Sequence, residues 1–240
     1  MKQFLKKYLT YIILLLILIF VVIFYILTSK NTNLKEPWRN ILNVKKYPYP
    51  ILGFKDNVLN KKECKELIKL ADNICEPSIV GFNNKMNKSS RYSYHGWVDH
   101  DYSPLIEKMT LLCERLSGVT RKNFEKFQFV WYPQGGYYKY HLDSCNKHAS
   151  DYEHCVENGN RKGFRWATIL FYLNDDFTGG STHFPNIDCD IPAKQGRCIM
   201  FKNLKDNTNE SDDRALHAGM DVKSGKKYIC NVWIRNKEYD

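Results

Sequence analysis

The stretch Val130-Trp131-Tyr132-Pro133-Gln134-Gly135-Gly136-Tyr137-Tyr138-Lys139-Tyr140-His141-Leu142-Asp143 reads as two short strands joined by a turn. Aromatic and branched residues, which fit a pleated surface, flank the turn-forming Pro-Gln-Gly-Gly. The second strand ends in His-x-Asp. Residues two apart on a strand face the same way, so His141 and Asp143 direct an imidazole and a carboxylate to one point. A second histidine would complete a two-histidine, one-carboxylate set, which leaves three positions open on Fe(II). His217, in Arg214-Ala215-Leu216-His217-Ala218-Gly219, is the expected supplier.

The bulk composition narrows the classes. A chain of 240 residues holds one ordinary domain plus an appendage, and 16 Tyr, 13 Phe and 5 Trp are enough for a large core. The net charge of +10 raises the question of nucleic acid. Setting aside Lys2, Lys6 and Lys7 leaves 33 basic against 26 acidic residues, spread without a dense basic run. That is a solvated basic surface, and no nucleic-acid partner is expected. All eight cysteines follow residue 60 and none forms a Cys-x-x-Cys pair. Their even number on one side of an apolar segment points to an oxidising compartment. Two sequons, Asn87-Lys88-Ser89 and Asn209-Glu210-Ser211, agree with it.

Residues 1–7 read as a short cytoplasmic tail. Tyr8 to Ser29 is an uncharged run of 22 residues. As a helix it would be about 33 Å long, enough for a hydrocarbon core of roughly 30 Å. It is longer than a signal-peptide core and lacks a small-x-small cleavage site, so an uncleaved signal anchor is expected over 8–29. Lysines flank both ends, so charge does not set the orientation. The cysteines and sequons do, placing the larger part in a lumen: a single-pass type II protein of the endoplasmic reticulum or a related membrane, a host membrane if the chain is viral. Residues 30–49 form a tether, and 50–240 the folded domain.

Within that domain, Asn60 caps a predicted helix over 61–74. Ser103 and Pro104 open a second one, which ends at Gly118. Lys85–His100 reads as a mobile loop beside a ligand, a candidate lid. Strands are predicted at Phe127–Tyr132, Tyr137–His141, Trp166–Leu173, Arg197–Phe201 and Lys227–Ile234, with no helix among them. Two helices followed by many short strands predict a mainly β fold: a double-stranded β-helix (jelly roll) backed by N-terminal helices, with one transmembrane helix ahead of it.

Further motifs follow in order: Gly179-Gly180-Ser181-Thr182, Pro192-Ala193-Lys194-Gln195-Gly196, His217, and Lys227 ten residues beyond. With His141-x-Asp143 they resemble the prolyl 4-hydroxylase family of Fe(II)- and 2-oxoglutarate-dependent dioxygenases over about Pro50–Arg235, most of all its compact one-domain members from algae, plants and large DNA viruses. The resemblance implies that His141, Asp143 and His217 hold iron. It implies that Lys227 pairs with the distal carboxylate of 2-oxoglutarate, Thr182 helps hold it, Tyr132 lies beside it and Trp233 walls its pocket. Arg91 and Arg165 match positions that contact the peptide. The implied activity is hydroxylation of proline in a peptide or protein, with Fe(II), O2, 2-oxoglutarate and ascorbate. Strand alternation agrees, since it puts Lys227, Ile229, Asn231 and Trp233 on one face. Ser181 departs from a usual glutamate and Asp221 from a usual proline, at positions that hold neither metal nor cosubstrate.

Alternatives stay open here. Cys145, His148, His154 and Cys155 could hold a structural zinc, although a Cys145–Cys155 disulfide fits the compartment better. Cys64 and Cys75, at opposite ends of one helix, are too far apart to bond. His95, His100 and His183 are expected to be ordinary loop or strand residues. The same site could hydroxylate another residue such as lysine, or the jelly roll could be a non-catalytic binding module.

Overall fold

The computed structural model of the protein describes residues 37–44, 46–78 and 90–239. The tail, the apolar run 8–29, the first five residues of the candidate lid (85–89, Asn87 among them) and the first part of the tether lie outside them. Among the described residues no helix is long and apolar enough to cross a membrane. The chain divides into two units, Met1–Pro37 and Trp38–Asp240, of which the second is described here.

Its strands are β1 (Ile51–Lys55), β2 (Glu76–Pro77), β3 (Arg91–Tyr92), β4 (Tyr94–Val98), β5 (Phe127–Tyr132), β6 (Tyr137–His141), β7 (Arg165–Tyr172), β8 (Thr178–Gly179), β9 (Thr182–Phe184), β10 (Cys189–Ile191), β11 (Cys198–Lys202), β12 (His217–Gly219), β13 (Val222–Ser224) and β14 (Lys227–Arg235). Three α-helices accompany them: α1 (Lys61–Ile74), α2 (Pro104–Ser117) and α3 (Tyr152–Lys162). A seven-stranded sheet has the order β1-β11-β7-β14-β5-β4-β2, a five-stranded one β10-β9-β12-β6-β3, and β13 pairs with β8. Every pairing is antiparallel. This is the expected two-sheet, mainly β architecture.

The larger sheet is buried on both faces, which is why β5, β7 and β14 read as nearly continuous apolar runs. Phe127, Phe129, Ala167, Ile169, Phe171, Cys230 and Val232 join one core, with Leu67 of α1 and Ile106, Met109 and Leu116 of α2. Their alternating neighbours Val130, Tyr132, Leu170, Tyr172 and Ile229 join a second core, with Phe184, Ile191 and Phe201. The period of two thus sorts each strand between a helix-facing side and a side that meets the smaller sheet. Burying one large apolar side chain contributes about 1.5–3 kcal/mol, so the helical layer anchors the sheet strongly.

Both predicted helices form with the bounds and caps that the sequence indicates. Asn60 accepts from the Glu63 N–H while the Glu63 carboxylate accepts from the Asn60 N–H, a reciprocal capping box. Ser103 accepts from the Ile106 N–H, and Gly118 ends α2 at φ +75°, where a side chain would be strained.

Two expectations are corrected. Helix α3 occupies a region where no helix was predicted. It has no apolar repeat and buries only Gly159, against which the Phe164 ring packs so closely that a Cβ would lie 2.4 Å away. A Cys145–Cys155 disulfide and a small cluster of Phe164, Leu204, Tyr152 and Val156 hold it instead. The second correction concerns Lys85–His100, where residues 91–92 and 94–98 are strands rather than loop. Tyr94 is stacked on Trp131 at 3.9 Å and β4 pairs along β5, which outweighs the polar composition.

The disulfide also decides against a zinc site at Cys145 and Cys155. Cys64 and Cys75 are both free thiols, so they are not bonded to each other, as expected. Asn209, at the second sequon, is exposed.

Candidate metal centre and active site

Strands β6 and β12 of the smaller sheet pair so that His141 and His217 stand directly opposite each other, with ring centroids 4.3 Å apart. Asp143, two residues past His141, places Oδ1 3.6 Å from His141 Nε2 and Oδ2 3.8 Å from His217 Nε2. Among the described residues this is the one group of three metal-binding side chains whose ligand atoms converge, all within 4.8 Å. They are the same three residues that the sequence reading named as ligands.

The tautomers follow from elementary bonding. His141 Nδ1 lies 2.8 Å from the Lys139 carbonyl and His217 Nδ1 2.9 Å from the Ala215 carbonyl. A carbonyl only accepts, so each Nδ1 carries the hydrogen and each Nε2 offers a lone pair to the shared point. Burial, then the neighbouring His141, pushes His217 down to about 4, so it is a neutral ligand at neutral pH. Burial alone would raise Asp143. The His217 and His141 imidazoles and the Thr168 hydroxyl outweigh it and hold the carboxyl well below its usual range.

Asp143 has support that the sequence reading missed. Thr168 Oγ1 donates to its Oδ2 at 2.6 Å, and Asn203 Nδ2 donates to Thr168 Oγ1 at 2.9 Å. The signal was a threonine at an inward position of an otherwise apolar strand, Trp166-Ala167-Thr168-Ile169-Leu170. Thr168→Val, which keeps the shape and removes the donor, is expected to weaken iron binding or turnover about 10–100-fold. Titrating metal-free protein with Fe(II) measures it, and unchanged affinity would reduce Thr168 to packing.

Beyond the triad the pocket runs inward, lined by Tyr132, Thr182, Lys227, Ile229, Asn231 and Trp233 among others. The expected alternation on β14 is realised, since Lys227, Ile229, Asn231 and Trp233 all line it. Lys227 is 1 % exposed and has no carboxylate partner among the described residues. Its Nζ donates to the Gly180 carbonyl at 2.7 Å and lies 5.4 and 5.9 Å from the Tyr132 and Tyr172 ring centroids. Burial lowers its pKa to about 7. Gly180, at φ +63°, follows Gly179 at φ +73°, where a Cβ would lie 2.4 Å from the Asp221 carbonyl. The glycine pair thus makes the turn that presents this carbonyl. Thr182 Oγ1 accepts from the Tyr172 hydroxyl at 2.8 Å, a partner that sequence reading did not single out. Burial raises Tyr132 to about 12, so its hydroxyl stays protonated.

Arg91 and Arg165 flank the triad differently. Arg91 is buried, lines the pocket, donates to Ser93 Oγ at 2.6 Å and stacks on Tyr138 at 4.6 Å. Tyr138 in turn stacks on the His141 ring at 3.6 Å. Arg165 forks onto Glu125 (2.6 and 2.7 Å), donates to the Asp143 carbonyl at 3.1 Å and lies 3.8 Å over the Trp233 ring. Glu125 also accepts from Arg235, and the two arginines keep its pKa low despite burial. His95 and His100 have protein partners, Ser78 Oγ for the former and Thr110 Oγ1 and the Glu125 carbonyl for the latter. His183 is a strand residue beside Asp190. All three are the ordinary residues expected.

The donor set suits a divalent ion that keeps open positions, and the pocket suits a polar ligand with an anionic end. An isolated buried lysine calls for an anion. Asn231 Oδ1 and Trp233 Nε1 are buried without a hydrogen-bond partner, which calls for further polar atoms in the same space.

Comparison with known proteins agrees with this chemistry. Residues 127–235 match the 2OG-Fe(II) oxygenase superfamily. The chain is 32% identical over 215 residues to a prolyl 4-hydroxylase homologue of Acanthamoeba polyphaga mimivirus, covering 89% of this chain and 85% of that one. It is 30% identical over 149 residues to the chicken prolyl 4-hydroxylase subunit alpha-2, where it spans 27% of the larger protein and 62% of itself. Among solved structures it is similar to the viral collagen prolyl hydroxylase of Paramecium bursaria Chlorella virus-1 in complex with 2OG. The TM-score there is 0.60 at 30% identity, covering 76% of this chain and 94% of that one. Together with the His141-Asp143-His217 centre, these likenesses mean that the chain belongs to the prolyl 4-hydroxylase family of Fe(II)- and 2-oxoglutarate-dependent oxygenases.

Proposed function

We propose that this protein is a membrane-anchored peptidyl-prolyl 4-hydroxylase. The observation that carries the reading is the buried, carboxylate-free Lys227 in the wall of the same pocket as the triad. His141, Asp143 and His217 hold Fe(II) through two Nε2 atoms and a carboxylate. Lys227 takes the distal carboxylate of 2-oxoglutarate, with Thr182 and Tyr132 beside it and Trp233 closing one wall. When bound, iron and cosubstrate supply the oxidising chemistry: with O2, 2-oxoglutarate becomes succinate and CO2 and one oxygen atom enters a substrate C–H bond.

The chain's own residues bind, orient and exclude water. The Lys139 and Ala215 carbonyls fix the imidazoles, and Thr168 fixes the carboxylate. The apolar second core keeps solvent from Lys227. Arg91 lines the pocket, held by Ser93 and Tyr138, and is the arginine placed to meet a peptide. Arg165 has its donors on Glu125 and the Asp143 carbonyl, so its part in the peptide site is to hold Trp233 and the Asp143 segment in place. The prolyl names of the viral and animal relatives support proline as the target. Ascorbate would be the accompanying reductant. Residues 8–29 anchor the domain on the lumenal side, supported by the apolar length, the sequons and the disulfide.

The test uses the full-length chain in detergent with Fe(II), 2-oxoglutarate, ascorbate and a panel of proline-rich peptides. Mass spectrometry is expected to find one added oxygen atom on a proline, matched by succinate. Oxygen on lysine, or succinate with no modified peptide across the panel, would overturn the prolyl reading. Glycosidase sensitivity at Asn87 or Asn209 is expected in cells, and protection of these sites with a protease-accessible cytosolic domain would reverse the orientation.

A further inference from the structure

One large aromatic side chain near the site is not used by the chemistry above. Trp97, on β4, is 43% exposed, although tryptophan is a residue that folding normally covers. Its place in the sheet is informative. Asn231 of β14 pairs with Leu170 of β7 on one side and with Gln128 of β5 on the other. Gln128 pairs in turn with Trp97. Directly opposed residues in antiparallel strands point to the same face. Leu170, Asn231 and Gln128 all line the metal pocket. Trp97 is therefore the next member of the pocket's own row, one strand further out, and the first that is open to solvent. Its ring lies 5.8 Å from that of Trp233, another pocket wall, with the two planes tilted by 43°. His95, two residues earlier on the same face, meets its edge at 6.2 Å.

We propose that Trp97 is a specificity-determining residue, a platform on which a proline ring flanking the hydroxylated residue docks. This rests on the prolyl reading above. A peptide whose target C–H enters the pocket must continue out of it, and the row Asn231–Gln128–Trp97 runs across the sheet from the pocket wall to the first solvent-exposed side chain. The chemistry of that surface selects the occupant. An exposed indole offers a flat face, and a proline ring offers a flat apolar one with no N–H to satisfy. Proline-rich segments are pre-ordered as a polyproline II helix and dock on aromatic-lined surfaces, so little conformational entropy is lost on binding.

The test measures steady-state kinetics of the full-length enzyme and of Trp97→Leu and Trp97→Phe. Two substrates are used: a long proline-rich peptide, and a short one with only the target residue and its immediate neighbours. Leucine keeps an apolar side chain but removes the flat ring, so the domain is expected to stay folded. Trp97→Leu should raise the KM for the long peptide about three- to tenfold, in the range of one aromatic contact. Its kcat, its KM for 2-oxoglutarate and its KM for the short peptide should be unchanged, and Trp97→Phe should recover most of the loss. An unchanged long-peptide KM in Trp97→Leu overturns the proposal while leaving the prolyl reading intact. A parallel rise in the 2-oxoglutarate KM, or an equal loss on both peptides, also overturns it, because Trp97 would then act by packing Trp233. A wild-type enzyme that turns over 2-oxoglutarate but hydroxylates neither peptide removes the prolyl reading, and this proposal with it.

Discussion

His217→Ala is expected to bring turnover to background, because it takes away one of only three protein ligands. His141→Ala and Asp143→Ala should do the same. The loss is larger than the roughly 10–100-fold expected for a supporting residue such as Thr168. It should also be visible without any assay of activity. A metal that binds only the folded state stabilises it by about 2.7 kcal/mol at a hundred times its dissociation constant. Fe(II) added anaerobically should therefore raise the melting temperature of the wild type and leave that of His217→Ala where it was. Metal-free melting of the two should be similar, since the strand pairing of β12 runs through its backbone. If His217→Ala still gains stability from iron and keeps near-normal turnover, the assignment of the third ligand is wrong.

How much of this was legible in the sequence depends on which interactions are local. His141-x-Asp143 could be read because strand alternation alone fixes the relative direction of the two side chains. The faces of β14 were legible for the same reason, and the caps of α1 and α2 because a helix end is satisfied by residues within four positions. Helix α3 was not, because what holds it is a disulfide and the Phe164 ring rather than an apolar repeat. Strands β3 and β4 were hidden behind Ser, Tyr and His residues whose stabilising partners, β6 for β3 and β5 with Trp131 for β4, lie far along the chain. The supports of the site were missed for that reason too. Thr168, Asn203 and Tyr172 act on residues 10 to 35 positions distant, across strands whose pairing the sequence does not print. The triad was nonetheless found, because the resemblance supplied the non-local step from Asp143 to His217.

Lys227→Ala is expected to cost at least about tenfold in affinity for 2-oxoglutarate. A charge-assisted hydrogen bond is worth about 1.5–3 kcal/mol, and ~1.4 kcal/mol is tenfold. The loss should fall on the 2-oxoglutarate KM with Fe(II) binding little changed, because the lysine is not one of the three ligands. Lys226→Ala is the internal control: Lys226 is exposed and its Nζ lies over Trp131, on the opposite face of the strand. pH adds a second signature. Without an anion, burial holds the pKa of Lys227 near about 7, below its ordinary 10.5. Above that pH the free enzyme has lost the charge, and binding a carboxylate must restore it by taking up a proton. Wild-type affinity should therefore fall as pH rises above about 7, and in Lys227→Ala that dependence should disappear. Stability runs the other way. A lysine whose folded pKa is lowered binds fewer protons folded than unfolded between about 7 and 10.5, so its destabilising effect is greatest below this window and fades as pH rises through it. Lys227→Met, which keeps the volume, should melt higher than the wild type at pH 7 in the absence of 2-oxoglutarate. The gain is roughly 1–3 kcal/mol, after allowing for the hydrogen bond to Gly180 that it gives up. A variant that binds its cosubstrate worse and folds better identifies a residue kept for binding rather than for packing. Equal effects at Lys226 and Lys227, or a Lys227→Met protein that melts lower at every pH, would remove the lysine from the cosubstrate site and leave the metal centre standing alone.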